Sequence, residues 1–402
     1  MPKFYAAQVA AVAEALEIIF NEGKYADRVI AQVLKADKRR GSKDRAFIAE
    51  QTYEVVRHYR RLAELAGGEP KTRKDWWRLI GIRMLLDGEE LPAWKEWEGL
   101  DAVRLQKENA ELEKQLCYFA SLPDWLDELG RQELGDEWEP TAKALNQPAD
   151  VILRANRLKT DPAALQIALR EDGIETDLLS ADGLRVTKRR NLFRTRAFRE
   201  GLFEVQDFSS QQAAPALDVA PGMSVIDACA GAGGKTLHLA ALMENKGRVI
   251  SLDTEAWKLK ELKKRAARNG VQNVETRAIE SSKTIKRLYG KADRLLLDVP
   301  CSGLGVLRRN PDAKWKLSPE FIERLRGVQR EILQRYPKMV KPGGKMVYAT
   351  CSVLPSENDA QLDHFLNSEA GADWTLIDKQ TFLPQRDGFD GFFVSRLEKR
   401  QP

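Results

Sequence analysis

The sequence predicts an α/β protein: a doubly wound sheet in the C-terminal half, preceded by a small α+β unit and an all-α N-terminal segment. Three observations carry that expectation. Residues 5–65 place apolar side chains at three and four spacing with no β-rich interruption. From residue 151 the texture changes to short alternating runs. After about residue 205, stretches rich in Val, Ile and Leu alternate with amphipathic helical patterns, the signature of a parallel sheet with helices on both faces.

Taken in order, AAQVAAVAEALEIIF, DRVIAQVL and DRAFIAEQTYEVVRHYRRL read as helices, and helical patterning returns from Trp76 to Leu86 and from about 101 to 135. Residues 1–140 are therefore expected to form an all-α domain, with the tryptophans at 76, 77, 94 and 97 in its core. VILRANRL, a helical DPAALQIALREDG, then TDLL and GLRVTK define a small α+β unit over residues 145–205. Residues 206–402 form the α/β domain, and no internal repeat or low-complexity segment interrupts the chain. A length of 402 residues fits two or three domains at roughly 150 residues each. The 43% hydrophobic and 31% charged composition describes a soluble globular chain, not a disordered one.

Four cysteines, at 117, 229, 301 and 351, lie 112, 72 and 50 residues apart, too far for a local metal clip and too few for a disulfide scaffold. The opening MPKFYAAQVAAVAEALEIIF lacks the uninterrupted apolar core and cleavage site of a secretory signal, and nowhere do 18 apolar residues run together. The expected setting is a reducing cytoplasm, with no membrane contact and the cysteines as thiols. His58, His238 and His364 show no ligand spacing, so no metal is expected.

The net charge of +5 is partitioned: −5 up to residue 140, where −6 falls between 121 and 140, and +10 after it. Lys188, Arg189, Arg190, Arg194, Arg196 and Arg199 put six cations into twelve residues without an acid, a density suited to a polyanion, although a solvated basic face has the same composition. Phe193 and Phe198 interleave with them as stacking surfaces for unpaired bases or as core residues of short strands. The acidic N-terminal part holds its own basic stretch from Lys35 to Arg45, followed by Arg57, His58, Arg60 and Arg61.

The chemistry concentrates at strand ends. MSVIDACAGAGGKTLHLAAL reads as a strand ending near Asp227, a Gly-rich turn, and a helix opening around Lys235. A phosphate-binding P-loop needs glycine where Cys229 stands, and the dinucleotide fingerprint needs one where Thr236 stands. The next strand, GRVISLD, ends in Asp253, 22 residues beyond Gly231, where a carboxylate can accept hydrogen bonds from an unphosphorylated ribose. That pairing points to S-adenosylmethionine, with another nucleoside or a purely structural turn as alternatives. DRLLLDVPCSGLG ends in Asp298 with Cys301 just beyond, and GKMVYATCS ends in Thr350-Cys351. Because ligands bind outside the carboxyl ends of strands in open α/β sheets, Asp227, Asp253, Asp298, Cys301 and Cys351 are expected to converge on one site. A lone cysteine is more often a small buried hydrophobe; two at strand ends shift the balance towards function. Cys229 lies inside the turn as a packing and backbone-contact residue, Cys117 is structural, and Glu357 with Asn358 caps the following helix or serves catalysis.

DACAGAGGKT, DVPCSGLGVLRRNPDAKW and YATCSVLPSEN together resemble the signature motifs of the Sun/RsmB (Nop/Sun) family of S-adenosylmethionine-dependent RNA cytosine-5 methyltransferases. GLFEVQDFSSQQAA is similar to the family's lead-in and DGFDGFFVSRLEK to its closing strand. Residues 145–205 resemble its small RNA-recognition-like subdomain. RVIAQVL and SKDRAFIAEQTYEVVRHYRRL resemble, less specifically, the NusB-type RNA-binding domain of the bacterial RsmB branch.

The resemblance implies a Rossmann-like class I methyltransferase domain and assigns roles that spacing leaves open, since either thiol could attack. Cytosine C5 is too weak a carbon nucleophile to take a methyl group until a thiolate adds at C6. The family pattern makes Cys351 that nucleophile and Cys301 the residue assisting product release, with Asp298 hydrogen-bonding the cytosine edge and Lys235 near both ligands. It carries the cofactor contacts onto Cys229, Ala230, Gly231, Ala232, Gly233, Gly234 and Lys235, and onto Asp253, Glu280 and Asp298. Glu280 stands where the family usually has aspartate, and Ala230-Gly231-Ala232 stands where it commonly has Ala-Ala-Pro; the missing proline loosens the turn without removing an amide. The implied partner is RNA, small-subunit ribosomal RNA first and transfer RNA second, bound by a monomer. A non-catalytic ribosome-assembly factor keeping the same fold is the alternative from another class, and a P-loop nucleotide hydrolase a third.

Overall fold

The computed structural model describes residues 4–401, so the first three residues of the N-terminal stretch lie outside the described residues. The described residues form two compact units, 4–148 with Val306–Pro319, and Ala149–Gly305 with 320–401.

In the first unit the helices Ala6–Asn21, Ala26–Ala36, Ser42–Arg57, Tyr59–Ala66 and Arg73–Leu86 enclose one core, and Ala102–Leu112, Asp124–Leu134 and Trp138–Leu145 continue the helical run to residue 145. Ala6–Asn21 is the central helix because it is apolar on nearly every side: Val9, Val12, Ala13, Leu16 and Ile19 are all buried, as expected of a helix surrounded by others. Thr72 and Asp75 cap Arg73–Leu86 reciprocally, and Asp101 caps Ala102–Leu112 by accepting from the Val103 and Arg104 amides. Trp76 and Trp97 are buried, and Trp97 stacks on Trp94 at 4.6 Å while its Nε1 donates to the Trp77 carbonyl.

The stretch read as one helix through DRAFIAEQTYEVVRHYRRL breaks at His58. The cause is distant in sequence. The Arg57 carbonyl accepts from Lys314 Nζ at 2.8 Å, and the Arg60 amide donates to Ser121 Oγ at 2.8 Å. Lys314 is buried and also donates to the Ala120 carbonyl (2.8 Å) and Asn146 Oδ1 (3.1 Å). In the same segment Asp312 Oδ2 accepts from the Ala26 amide, and Trp315 Nε1 donates to the Val56 carbonyl.

The second unit opens with an antiparallel sheet of β1 (Val151–Ala155), β2 (Thr176–Leu178), β3 (Gly183–Val186) and β4 (Phe203–Val205), in the order β2-β3-β1-β4. Leu165 and Leu169 of the helix Pro162–Glu171 pack into one cluster with Leu153, Leu184 and Phe203. That helix starts at Asp161, whose carboxylate accepts from the Ala164 amide, with Pro162 at its first position.

A seven-stranded sheet follows: β5 (Ser224–Asp227), β6 (Arg248–Asp253), β7 (Val274–Ala278), β8 (Ala292–Asp298), β9 (Val340–Thr350), β10 (Trp374–Phe382) and β11 (Phe392–Lys399). Its order is β10-β11-β9-β8-β5-β6-β7, parallel from β7 to β9 and antiparallel at β11 and β10. Successive residues of the central strands serve opposite faces. Val225, Val249, Leu296 and Val347 pack with Leu239, Ala240 and Met243, whereas Ile226, Ile250, Leu295, Leu297 and Met346 pack with Ile332, Leu333, Leu362 and Phe365. Chain order reverses between β5 and β8, and the ends of those two strands flank the crevice that such a reversal opens.

Candidate active site

After β5 the chain turns at Ala228–Gly233 into the helix Gly234–Leu242. Gly233 has φ +90°, and a Cβ there would lie 2.5 Å from Leu262 Cγ, so both conformation and space demand glycine. The turn is held by its carbonyls: Arg265 Nη1 donates to the Ala232 carbonyl and Arg154 Nη1 to that of Gly234, each at 2.8 Å. On its other side the Gly231 amide donates to Asp253 Oδ2, and the Glu255 amide to Asp253 Oδ1, both at 2.8 Å. Asp227 Oδ2 accepts from Thr236 Oγ1 at 2.6 Å. Burial pushes the Asp227 carboxyl up to about 7, with Asp298 reinforcing the shift.

A cavity of about 820 Å³ opens beside the turn, lined by Cys229 and Gly231, Asp253 after β6, Ile279 and Glu280 after β7, and Asp298 to Pro300 after β8. Of the residues expected on a cofactor, Cys229, Gly231, Asp253, Glu280 and Asp298 therefore share one cavity wall. Ala230 does not: it is buried against Leu237, Leu259 and Leu262. Ala232, Gly233, Gly234 and Lys235 are likewise absent from the lining. Burial raises the Cys229 thiol well above the usual range, and Asp227, Asp298 and Asp253 add to the effect.

The two strand-end thiols meet. Cys301 Sγ and Cys351 Sγ lie 3.4 Å apart, brought together because β8 and β9 are neighbours in register, with Asp298 opposite Ala349. The hydrogen bond to Cys351, together with burial, raises Cys301 well above the normal thiol value. Lys235 Nζ pairs with Asp298 Oδ2 at 2.7 Å and sits 5.1 Å from the Phe392 ring centre. Gly305 permits the approach of the closing strand's lead-in, since a Cβ on it would meet the Gly391 carbonyl at 2.0 Å; its amide donates to the Cys351 carbonyl at 2.9 Å.

Glu357 is fully buried, and it does not cap the helix Asp359–Leu366 with its side chain. Its Oε1 accepts from the Ser302 amide (2.8 Å) and Gln329 Nε2 (3.0 Å), and its Oε2 from the hydroxyls of Ser302 and Ser352. Sequence reasoning left this residue between two readings, and the only available signal was its place six residues after Cys351.

Elsewhere, Phe193 is 62% exposed on the basic segment, whereas Phe198 is half-buried beneath the Arg268 guanidinium at 3.9 Å. Arg196 pairs with Glu171 and Glu200, and Arg189 donates to the Ala149 carbonyl, while Lys188, Arg190 and Arg194 stand exposed. Among the described residues, no group of three or more His, Cys, Asp and Glu side chains could hold a metal ion, and no helix is long and apolar enough to cross a membrane.

Comparison with known proteins gives this geometry a family. The family model described as 16S rRNA methyltransferase RsmB/F matches residues 214–398, and that of the RsmF/B-like ferredoxin-like domain matches residues 122–192. The ribosomal RNA small subunit methyltransferase B of Erwinia tasmaniensis is 30% identical over 96% of this chain and 97% of its own. A probable ribosomal RNA small subunit methyltransferase B of Synechocystis is 36% identical over 69% of this chain and 67% of its own. Among solved structures, that of PH0851 superposes with a TM-score of 0.83 at 25% identity over 99% of both chains. A methyltransferase homolog protein from Pyrococcus horikoshii gives 0.63 at 28% identity, over 72% of this chain and 99% of that one. Near-complete coverage at 30% identity, and a family match spanning the cavity and both thiols, place the chain in the 16S rRNA methyltransferase RsmB/F family.

Proposed function

We propose that this chain transfers a methyl group from S-adenosylmethionine to C5 of a cytosine in small-subunit ribosomal RNA. The observation that carries the reading is the meeting of Cys301 and Cys351 at 3.4 Å, on the same strand ends that present the Lys235–Asp298 pair and the cavity. The cavity's side chains suit the donor: Asp253 retains lone pairs for ribose hydroxyls, Ile279 and Ile285 offer an apolar wall beside Glu280, and Asp298 supplies negative charge for a sulfonium. When bound, S-adenosylmethionine supplies the methyl group that C5 receives.

The chain's own residues do the rest. Cys351 adds its sulfur to C6, which turns the ring's C5=C6 electron pair into a carbon nucleophile at C5. Asp298, oriented by Lys235, accepts from the cytosine N4 amino group, and from N3 once that nitrogen takes up a proton from solvent as charge develops there. After transfer, solvent water takes the C5 proton, the freed electron pair re-forms C5=C6 and expels the sulfur from C6, and Cys301, held as a neutral thiol, is placed to protonate the departing sulfur and to regain a proton from solvent. The exposed Phe193 among Lys188, Arg190 and Arg194 suits an unpaired stretch of RNA, and the helical residues 1–140 are assigned to targeting. The ribosomal substrate rests on the names of the relatives, and the setting is the cytoplasm, where that RNA and reduced thiols coexist.

The test is mass-spectrometric mapping of 5-methylcytosine in ribosomal and transfer RNA from cells with and without the gene. Loss at one small-subunit site is the expected result. Loss in transfer RNA alone would move the substrate and keep the chemistry, and no loss anywhere would favour the assembly-factor reading.

A further inference from the structure

We propose that Glu357 is a positioning residue that fixes the separation of the two thiols by clamping both thiol-bearing loops through Ser302 and Ser352; the proposal rests on the two-thiol chemistry above. Each serine directly follows one of the cysteines, Ser302 after Cys301 and Ser352 after Cys351. Both serine hydroxyls donate to the same carboxylate oxygen, and the two hydroxyl oxygens lie 3.2 Å apart. Each serine oxygen also accepts from the amide two residues on, Leu304 at 3.4 Å and Leu354 at 3.1 Å, so the start of each loop folds around its own serine.

Everything that reaches Glu357 is a donor: the Ser302 amide, two hydroxyls and Gln329 Nε2. A carboxylate satisfies four donors at once; an amide or a protonated carboxyl must turn a donor towards one of them. Gln329 ties in the cysteine loop a second time, because its Nε2 also donates to the Pro300 carbonyl at 2.9 Å. The carboxylate is itself immobilised from behind. Tyr348 OH donates to the Glu357 carbonyl at 2.7 Å, and Asn358 bridges Thr350 Oγ1 to the Ser352 carbonyl. Glu357, Ser302 and Ser352 are buried, whereas the two thiols are only partly so. The clamp therefore lies on the protein side of the thiols, out of reach of substrate, and acts on geometry. Its negative charge also contributes, after the bond to Cys351 and burial, to keeping Cys301 a thiol.

The two-thiol mechanism needs one sulfur at C6 and the other within reach of it, and a displacement of about 1 Å in such a constellation costs about 100-fold in rate. Glu357→Gln should lower kcat for RNA methylation about 100-fold, leave KM for RNA and calorimetric affinity for S-adenosylmethionine within about threefold, and move the acidic-to-alkaline pH–rate profile towards lower pH as the buried charge disappears. Ser302→Ala/Ser352→Ala should reproduce the kcat loss, and adding Glu357→Gln to that double variant should change kcat by no more than about threefold, because the carboxylate acts through the serines. Wild-type kcat in Glu357→Gln, or a full further loss on the double-serine background, would overturn the proposal. Should Glu357→Gln not fold, the serine variants singly and together decide in the same way, wild-type kcat in them overturning it. A wild-type protein that makes no 5-methylcytosine on any RNA would instead defeat the parent reading, a result visible before any variant is assayed.

Discussion

Replacing Lys314 by Met is the sharpest test of how the segment Val306–Pro319 is held in the helical unit. Methionine keeps the length and apolar stem of lysine, so packing is nearly unchanged and the substitution isolates the ammonium. Two effects oppose each other. The ammonium satisfies three acceptors, the Arg57 and Ala120 carbonyls at 2.8 Å and Asn146 Oδ1 at 3.1 Å, and each buried acceptor left dry costs about 1–3 kcal/mol. Against that, burial and the nearby Arg57 and Arg61 hold its pKa well below the ordinary lysine value, so removing the charge relieves several kcal/mol of desolvation. The Arg57 carbonyl can recover a partner by closing the helix gap at His58, and the Asn146 side chain can rotate. The Ala120 carbonyl has no such alternative, and the break that Lys314 maintains is lost. We expect a net loss of about 3 kcal/mol, seen as a Tm lower by about 6–12 °C for a unit of this size. Urea titration followed by tryptophan fluorescence reads it directly, since Trp76 and Trp97 lie in the core against which Trp315 of this segment packs. A variant as stable as the wild type, or more so, would refute the reasoning by showing that desolvation of the ammonium outweighs its three bonds.

Cys351→Ala should abolish methyl transfer, whereas Cys301→Ala should accumulate a covalent protein–RNA adduct resistant to denaturing electrophoresis; an adduct in the first variant and none in the second would reverse the two assignments. Asp253→Asn exchanges an acceptor for a donor between the Gly231 and Glu255 amides and should weaken S-adenosylmethionine binding about 10- to 100-fold by calorimetry, the range of a lost charge-assisted bond; unchanged affinity would remove Asp253 from the cofactor site. Burial lowers both His58 and His238 from 6.5 to about 4, so the unfolded chain binds more protons than the folded one between those values. Stability present above pH 6.5 is then lost as pH falls towards 4, by about 3 kcal/mol per histidine at most, and His238→Gln should flatten that slope in urea titrations at several pH values.

What could be read from the sequence was local. Strand, turn and acid follow one another within a few residues in VIDACAGAGGKT and in DRLLLDVPC, and the apolar runs that bury a parallel strand also say where it ends. The turn's inner alternation was less visible. Cys229 and Gly231 face the cavity, whereas Ala230 packs against Leu262. Glu357 could not be assigned, since its partner Ser302 is 55 residues away and only the neighbouring of β8 and β9 brings the two together. The helix break at His58 has the same origin, its cause being Lys314, which bonds the Arg57 carbonyl from 257 residues along the chain. The basic segment was legible as composition but not as charge available to a ligand, because Glu171 occupies Arg196 from another helix.

Charge also separates Cys229 and Cys301 by what each can do. Cys229 stands among Asp227, Asp298 and Asp253, whose carboxylates add to burial in keeping it protonated. A thiol so held is a poor nucleophile, which suits a residue on the wall of a cavity that would carry an electrophilic methyl group. Cys301 is raised through its bond to Cys351 and by burial, which keeps it a thiol with a proton to give. Our assignment of attack to Cys351 follows the family pattern, and the raised Cys301 thiol suits the protonating role given to it. In the mechanism we propose, Lys235 has a matching part: paired with Asp298 at 2.7 Å, it orients that carboxylate and offsets part of its charge, so that Asp298 can accept from the cytosine amino group beside a site where a thiolate forms.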